Sequence, residues 1–192
     1  MSYKNEKIKM IELHENGLDI QFRIRENGVV ELADFSSQEV KKAVMEPKED
    51  ICYPAVEIHR SGTGSLNMHA YKNNINQSSV DFVYENHELK AQAGGKELEI
   101  VMISPEKLKA VYHMRLFDGV PAVQTWTEII NEGSEDQGLT YVSSFMYQGI
   151  SRGGEKPYYK KTDIYVPFNS WCCEAQWQKY DAETVSYTHL RA

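Results

Sequence analysis

Lys7-Ile8-Lys9-Met10-Ile11-Glu12-Leu13-His14-Glu15-Asn16-Gly17-Leu18-Asp19-Ile20-Gln21-Phe22-Arg23-Ile24-Arg25-Glu26-Asn27-Gly28-Val29-Val30-Glu31-Leu32 alternates apolar and polar residues on both sides of a repeated Glu-Asn-Gly tripeptide. A period of two marks strands with one face buried. Asn-Gly suits the paired positive-φ positions of a type I′ turn, so each tripeptide reads as a hairpin. Strands are therefore expected over residues 7–13, 18–25 and 29–35, as a three-stranded meander. The repetition is shared turn chemistry and gives no sign of a solenoid.

The same pattern continues along the chain. Runs at 80–85, 89–93 and 98–103 predict a second meander; in the last, Leu98, Ile100 and Met102 face one way while Glu97 and Glu99 face the other. Long strands are expected at 108–117, 122–131 and 139–148. Val123-Gln124-Thr125-Trp126-Thr127-Glu128-Ile129-Ile130 is rich in β-branched and aromatic residues, which favours strand over helix. Gly94-Gly95, Asp118-Gly119 and Asn131-Glu132-Gly133 supply further turns. One helix is expected, over 37–45, ended by Pro47. Residues 73–79 and 151–162 read as loops. About a dozen short antiparallel strands with one minor helix predict an all-β sandwich. No boundary divides residues 1–184, which read as one domain. Residues 185–192, Val185-Ser186-Tyr187-Thr188-His189-Leu190-Arg191-Ala192, resemble the translation of a sequencing-library transposon adapter. Natural sequence is thus expected to end near Thr184, making the chain a fragment.

Composition narrows the function classes. With 192 residues, the chain can bury a core without disulfides or metals. No apolar run approaches the roughly 20 residues of a spanning helix, and the polar opening Met1-Ser2-Tyr3-Lys4 has no secretory h-region behind it. Cys52, Cys172 and Cys173 are an odd set with two adjacent members, which predicts reduced thiols in a cytoplasmic protein. A net charge of -7 argues against nucleic acid and anionic membranes. The one basic-aromatic segment, Lys156-Pro157-Tyr158-Tyr159-Lys160-Lys161, reads as a solvated loop.

Generic chemical motifs are weak. Gly62-Thr63-Gly64-Ser65 lacks the Lys-Ser/Thr of a phosphate loop and reads as a turn. His59, His69, His87 and His113 lie far apart, without zinc-ligand spacing. Glu57 and His59 share a strand face, a pattern that exposed polar residues also produce. Asn169-Ser170-Trp171-Cys172-Cys173-Glu174-Ala175-Gln176-Trp177 places two indoles six residues apart with amides and a carboxylate between. Indole faces stack on sugar C–H surfaces and the polar groups bond hydroxyls, so Trp171 and Trp177 are candidate substrate-binding residues. Core packing is the competing reading, since tryptophan buries a large area whatever its role.

Taken in order, several segments resemble the N-terminal domain of family 36 glycoside hydrolases, the α-galactosidase family, from about residue 7 to residue 180. These are Asn27-Gly28-Val29-Val30-Glu31-Leu32, then Asp50-Ile51-Cys52-Tyr53-Pro54-Ala55-Val56-Glu57-Ile58, then Thr125-Trp126-Thr127-Glu128-Ile129-Ile130-Asn131-Glu132-Gly133, and the tryptophan-rich segment. The resemblance implies a β-supersandwich related to the galactose-mutarotase fold. Catalysis in that family belongs to a following (β/α)8 barrel, where one aspartate attacks the anomeric carbon and another acts as acid/base, with retention. This chain alone would then be inactive, with no catalytic residue, metal or cofactor of its own. The barrel and further copies of the chain are the implied partners, and a galactoside the implied substrate. Asp50 matches a family position that reaches sugar hydroxyls in a neighbouring subunit's site. Residues 61–71 lack the loop tryptophan of some members and offer only Tyr71 as a large aromatic. Two other readings stand beside this one: a free-standing carbohydrate-binding sandwich, and a mutarotase-like isomerase using a His and a Glu for proton transfer.

Overall fold

A computed structural model describes residues 9–37, 53–63, 76–147 and 163–181. They fall into two units, one up to residue 147 and one from residue 163. In the first, β1 (Lys9–Glu15), β2 (Leu18–Ile24) and β3 (Val30–Ser37) form an antiparallel sheet in chain order. A short β4 (Ile58–Arg60) and the single-turn helix α1 (Gln77–Val80) come next. A four-stranded antiparallel meander follows: β5 (Val83–Gln92), β6 (Gly95–Ile103), β7 (Leu108–Phe117) and β8 (Val120–Asn131). β9 (Leu139–Val142) returns to pair with β4.

The two larger sheets share one core, so the expected all-β sandwich is present. Ile11, Leu13, Ile20, Phe22 and Leu32 of the first sheet pack with Leu98, Ile100, Met102, Ala110, Tyr112 and Met114 of the second. Phe22 meets Tyr112 edge-on at 5.7 Å, the geometry that sets a positive ring edge against a negative ring face. Asn16 ties the sheets at one end: its Nδ2 donates to the Phe117 carbonyl at 2.9 Å and its Oδ1 accepts from Gly119 N–H at 3.0 Å.

The two Glu-Asn-Gly turns differ. Asn16 and Gly17 both take positive φ (52° and 81°), as a type I′ turn requires. At the second, Gly28 N–H donates to the Arg25 carbonyl and Arg25 N–H to the Val29 carbonyl, with Gly28 at φ 84°. That is a three-residue loop closed by a left-handed glycine. A Cβ on Gly28 would also stand 2.9 Å from Val83 Cβ.

Residues 80–93 hold one strand where two are expected. The strand runs on through Asn86 to Glu88, and a register shift between Tyr84 and Asn86 absorbs the change of phase. Ser37 ends β3 instead of opening a helix, and residues 38–45 lie outside the described set. The described helix sits instead at 77–80, where a loop is expected. Asn76 caps it by accepting from Ser78 N–H, and Ser78 and Ser79 turn inward onto β4. Ser79 Oγ accepts from Ile58 N–H at 2.8 Å and donates to its carbonyl at 3.0 Å, satisfying both groups of a buried strand residue. β9 stops at Val142, short of the expected residue 148. No helix of the described residues is long and apolar enough to cross a membrane.

The second unit is a hairpin of β10 (Asp163–Ser170) and β11 (Cys173–Asp181).

Candidate functional site

The hairpin carries both candidate tryptophans. Its register sets Tyr165 opposite Lys179 and Pro167 opposite Trp177, so these four side chains share a face. Trp177 is 65% exposed and Tyr165 57%. Lys179 reaches over the tyrosine ring, 6.0 Å from its centroid, and pairs with Asp163 at 2.9 Å. Trp171 and Cys172 form the two-residue turn, Cys172 at φ 60°, and Trp171 is 93% exposed. Neither indole belongs to the buried core among the described residues. Four residues of β11 separate the turn from Trp177, on the order of 13 Å along the strand, so the two indoles are not brought together around one sugar ring.

The polar groups between the indoles divide. Asn169 Oδ1 accepts from Ala175 N–H at 2.7 Å and holds the turn. Gln176 and Glu174 are exposed. Cys172 and Cys173 are free, exposed thiols.

Asp50 lies outside the described residues, as do Cys52, His69, Tyr71 and residues 156–161. The segment after Asp50 is anchored to the first sheet: Tyr53 N–H donates to Glu31 Oε1 at 2.9 Å and Ala55 N–H to the Val30 carbonyl at 2.7 Å. Glu31 is buried and faces Arg23 at 3.5 Å and Arg25 at 3.1 Å. The described part of the small glycine loop is a turn: Thr63 N–H donates to the Arg60 carbonyl at 3.2 Å, with Gly62 at φ 82°.

Two histidines stand within hydrogen-bond distance of a glutamate. His59 Nε2 is 2.8 Å from Glu57 Oε1, beside the Tyr141 ring. His113 Nδ1 is 2.9 Å from Glu97 Oε1. At the surface, His14 is raised above the ordinary imidazole value by its hydrogen bond to Asp19, at 2.6 Å. His87 is lowered by burial and by the Lys9 charge.

Linear spacing missed one constellation. Glu97, Glu99 and His113 converge on a single face although 14 residues separate Glu99 from His113. A legible signal exists: with the β6–β7 loop at 105–107, closed by Ser104 N–H on the Leu108 carbonyl, Glu99 and His113 each stand six residues from it and lie opposite one another.

No protein-family model matches this sequence, and no curated protein matches it. Among solved structures, the chain is similar to the GH36 α-galactosidase AgaA from Geobacillus stearothermophilus, with 11% identity and a TM-score of 0.49 over 90% of this chain. It is also similar to the α-galactosidase from Lactobacillus brevis, with 12% identity and a TM-score of 0.47 over 94% of this chain. In each case it spans 28% of the larger protein. At such identities the likeness is one of backbone and transfers no side-chain chemistry.

Proposed function

We propose that this chain is the N-terminal, non-catalytic sandwich of a retaining α-galactosidase. The parent enzyme would remove terminal α-linked galactose from oligosaccharides such as raffinose and melibiose, using a (β/α)8 barrel that follows residue 184. The observation that carries this reading is the meeting of two family-like segments more than twenty residues apart in sequence. Val30 and Glu31 receive the backbone N–H groups of Ala55 and Tyr53 at 2.7 and 2.9 Å. The third segment is supported locally, since Asn131 Oδ1 accepts from Gly133 N–H at 3.0 Å in its turn. In this reading Asp50, three residues before the Tyr53 anchor, reaches a sugar hydroxyl in a neighbouring subunit. The working form is then a cytoplasmic homo-oligomer, and residues 185–192 are not native.

A second reading, a stand-alone carbohydrate-binding sandwich, is favoured by the exposed face of Tyr165 and Trp177. Equilibrium binding of melibiose and raffinose to this chain separates the two. The first predicts no saturable binding, because the pocket needs the barrel. The second predicts binding that Trp177→Ala abolishes while the circular dichroism spectrum stays unchanged.

A further inference from the structure

The face of the β5–β8 sheet turned away from the core holds a group of side chains that the proposed function leaves unused. Because Leu98, Ile100 and Met102 point inward, Glu97 and Glu99 of β6 point outward. The register sets His113 of β7 opposite Glu99, and Trp126 of β8 opposite His113. Trp126 lies flat on the imidazole, 4.6 Å away and 5° from parallel, which fixes the ring so that its two nitrogens face neighbouring strands. Although on an outer face, Glu97 is only 6% exposed and His113 8%.

Three ligand atoms converge there. His113 Nδ1 is 2.9 Å from Glu97 Oε1 and 4.0 Å from Glu99 Oε1, and one ligand atom from each of the three residues lies within 4.8 Å of the other two. The remaining carboxylate oxygens are held from β5: Gln92 Nε2 donates to Glu97 Oε2 at 2.6 Å, and Lys90 Nζ to Glu99 Oε2 at 2.5 Å. His113 Nε2 is buried without a hydrogen-bond partner. Glu128 Oε2 stands 3.8 Å from it.

We propose that Glu97 Oε1, Glu99 Oε1 and His113 Nδ1 bind a divalent first-row transition-metal ion. A proton on Nδ1 serves Glu97 but leaves Glu99 Oε1 out of reach and Nε2 unpaired. A metal ion serves all three ligands. Bonds of about 2.1 Å in a six-coordinate ion set neighbouring ligand atoms about 3.0 Å apart, close to the Glu97–His113 separation. A metal on Nδ1 also fixes the remaining proton on Nε2, pointing toward Glu128 Oε2, which at 3.8 Å stands beyond direct hydrogen-bond reach on the side where the outer partner of a ligating histidine belongs. Charge agrees. Glu88, Glu97, Glu99 and Glu128 surround the site against Lys90 and Arg115, an excess of two negative charges when His113 is neutral. One imidazole with two carboxylates suits Zn2+ or Mn2+ better than Ca2+, which prefers oxygen alone. Such an ion pins β6 to β7 and leaves open positions for water.

The test uses the full chain with Cys172→Ser and Cys173→Ser, which removes thiols that would take zinc by themselves. After chelator treatment the protein is titrated with ZnCl2 by calorimetry and with MnCl2 by electron paramagnetic resonance. One saturable ion per chain is expected, at least about tenfold weaker in Glu99→Gln and in Glu128→Gln. Both substituted positions are partly or mostly exposed, and circular dichroism checks the fold of each variant. Failure of the folded parent to take up either ion saturably would overturn the proposal. So would equal affinity in the folded parent and the folded Glu99→Gln protein.

Discussion

At the scale of single residues, hydrogen bonding, burial and neighbouring charge set how the surface histidines behave. His14 gains a proton more readily than a free imidazole because Asp19 accepts its hydrogen bond, and Glu12 adds to the effect. His87 gains one less readily, since burial and Lys9 both oppose the charge. Nuclear magnetic resonance titration is therefore expected to show His14 titrating at higher pH than His87, and Asp19→Asn to bring His14 back toward the ordinary value. The sign for stability follows. A group whose pKa is raised by folding contributes below its unfolded value, and that contribution is lost as pH rises through the folded one. The His14–Asp19 pair thus supports the fold in mild acid and ceases to do so as the imidazole is neutralised.

Between strands, backbone proximity is the controlling quantity. The β5–β6 turn is built on Ala93 and Gly94, and Gly95 opens β6 opposite Phe117. A Cβ at Gly95 would lie 1.9 Å from the Leu116 carbonyl oxygen, which no side-chain rearrangement can relieve. Gly95→Ala is expected to cost about 3 kcal/mol, read as a lower urea midpoint with an unchanged slope. Elements of this kind were legible in the sequence wherever a turn residue and a period-two run coincided, as at Asn16-Gly17 and in β7. The β5 strand was not, because a bulge resets the alternation at Glu85 and mimics a break. Helix α1 was not, because its stability comes from serine hydroxyls bonded to Ile58, a contact between distant segments. The aromatic hairpin announced itself by composition, but only the structure separates exposed indoles from buried ones. The Glu97–Glu99–His113 group was hidden because its members meet across a ladder, at right angles to the direction in which motifs are read.

For the whole molecule, Phe22 and Tyr112 lock two sheets into one core, while Leu139, Tyr141 and Phe145 remain between 41 and 50% exposed. These three lie within seven residues of one another, and in the proposed reading the barrel would cover them. The most direct measurement is hydrolysis of an aryl α-galactoside, by this chain and by the protein extended through the coding sequence that follows the Thr184 codon. Activity is expected in the extended protein and none in the chain alone. Hydrolysis by the chain itself, or an extended protein without activity toward any α-galactoside, would contradict it.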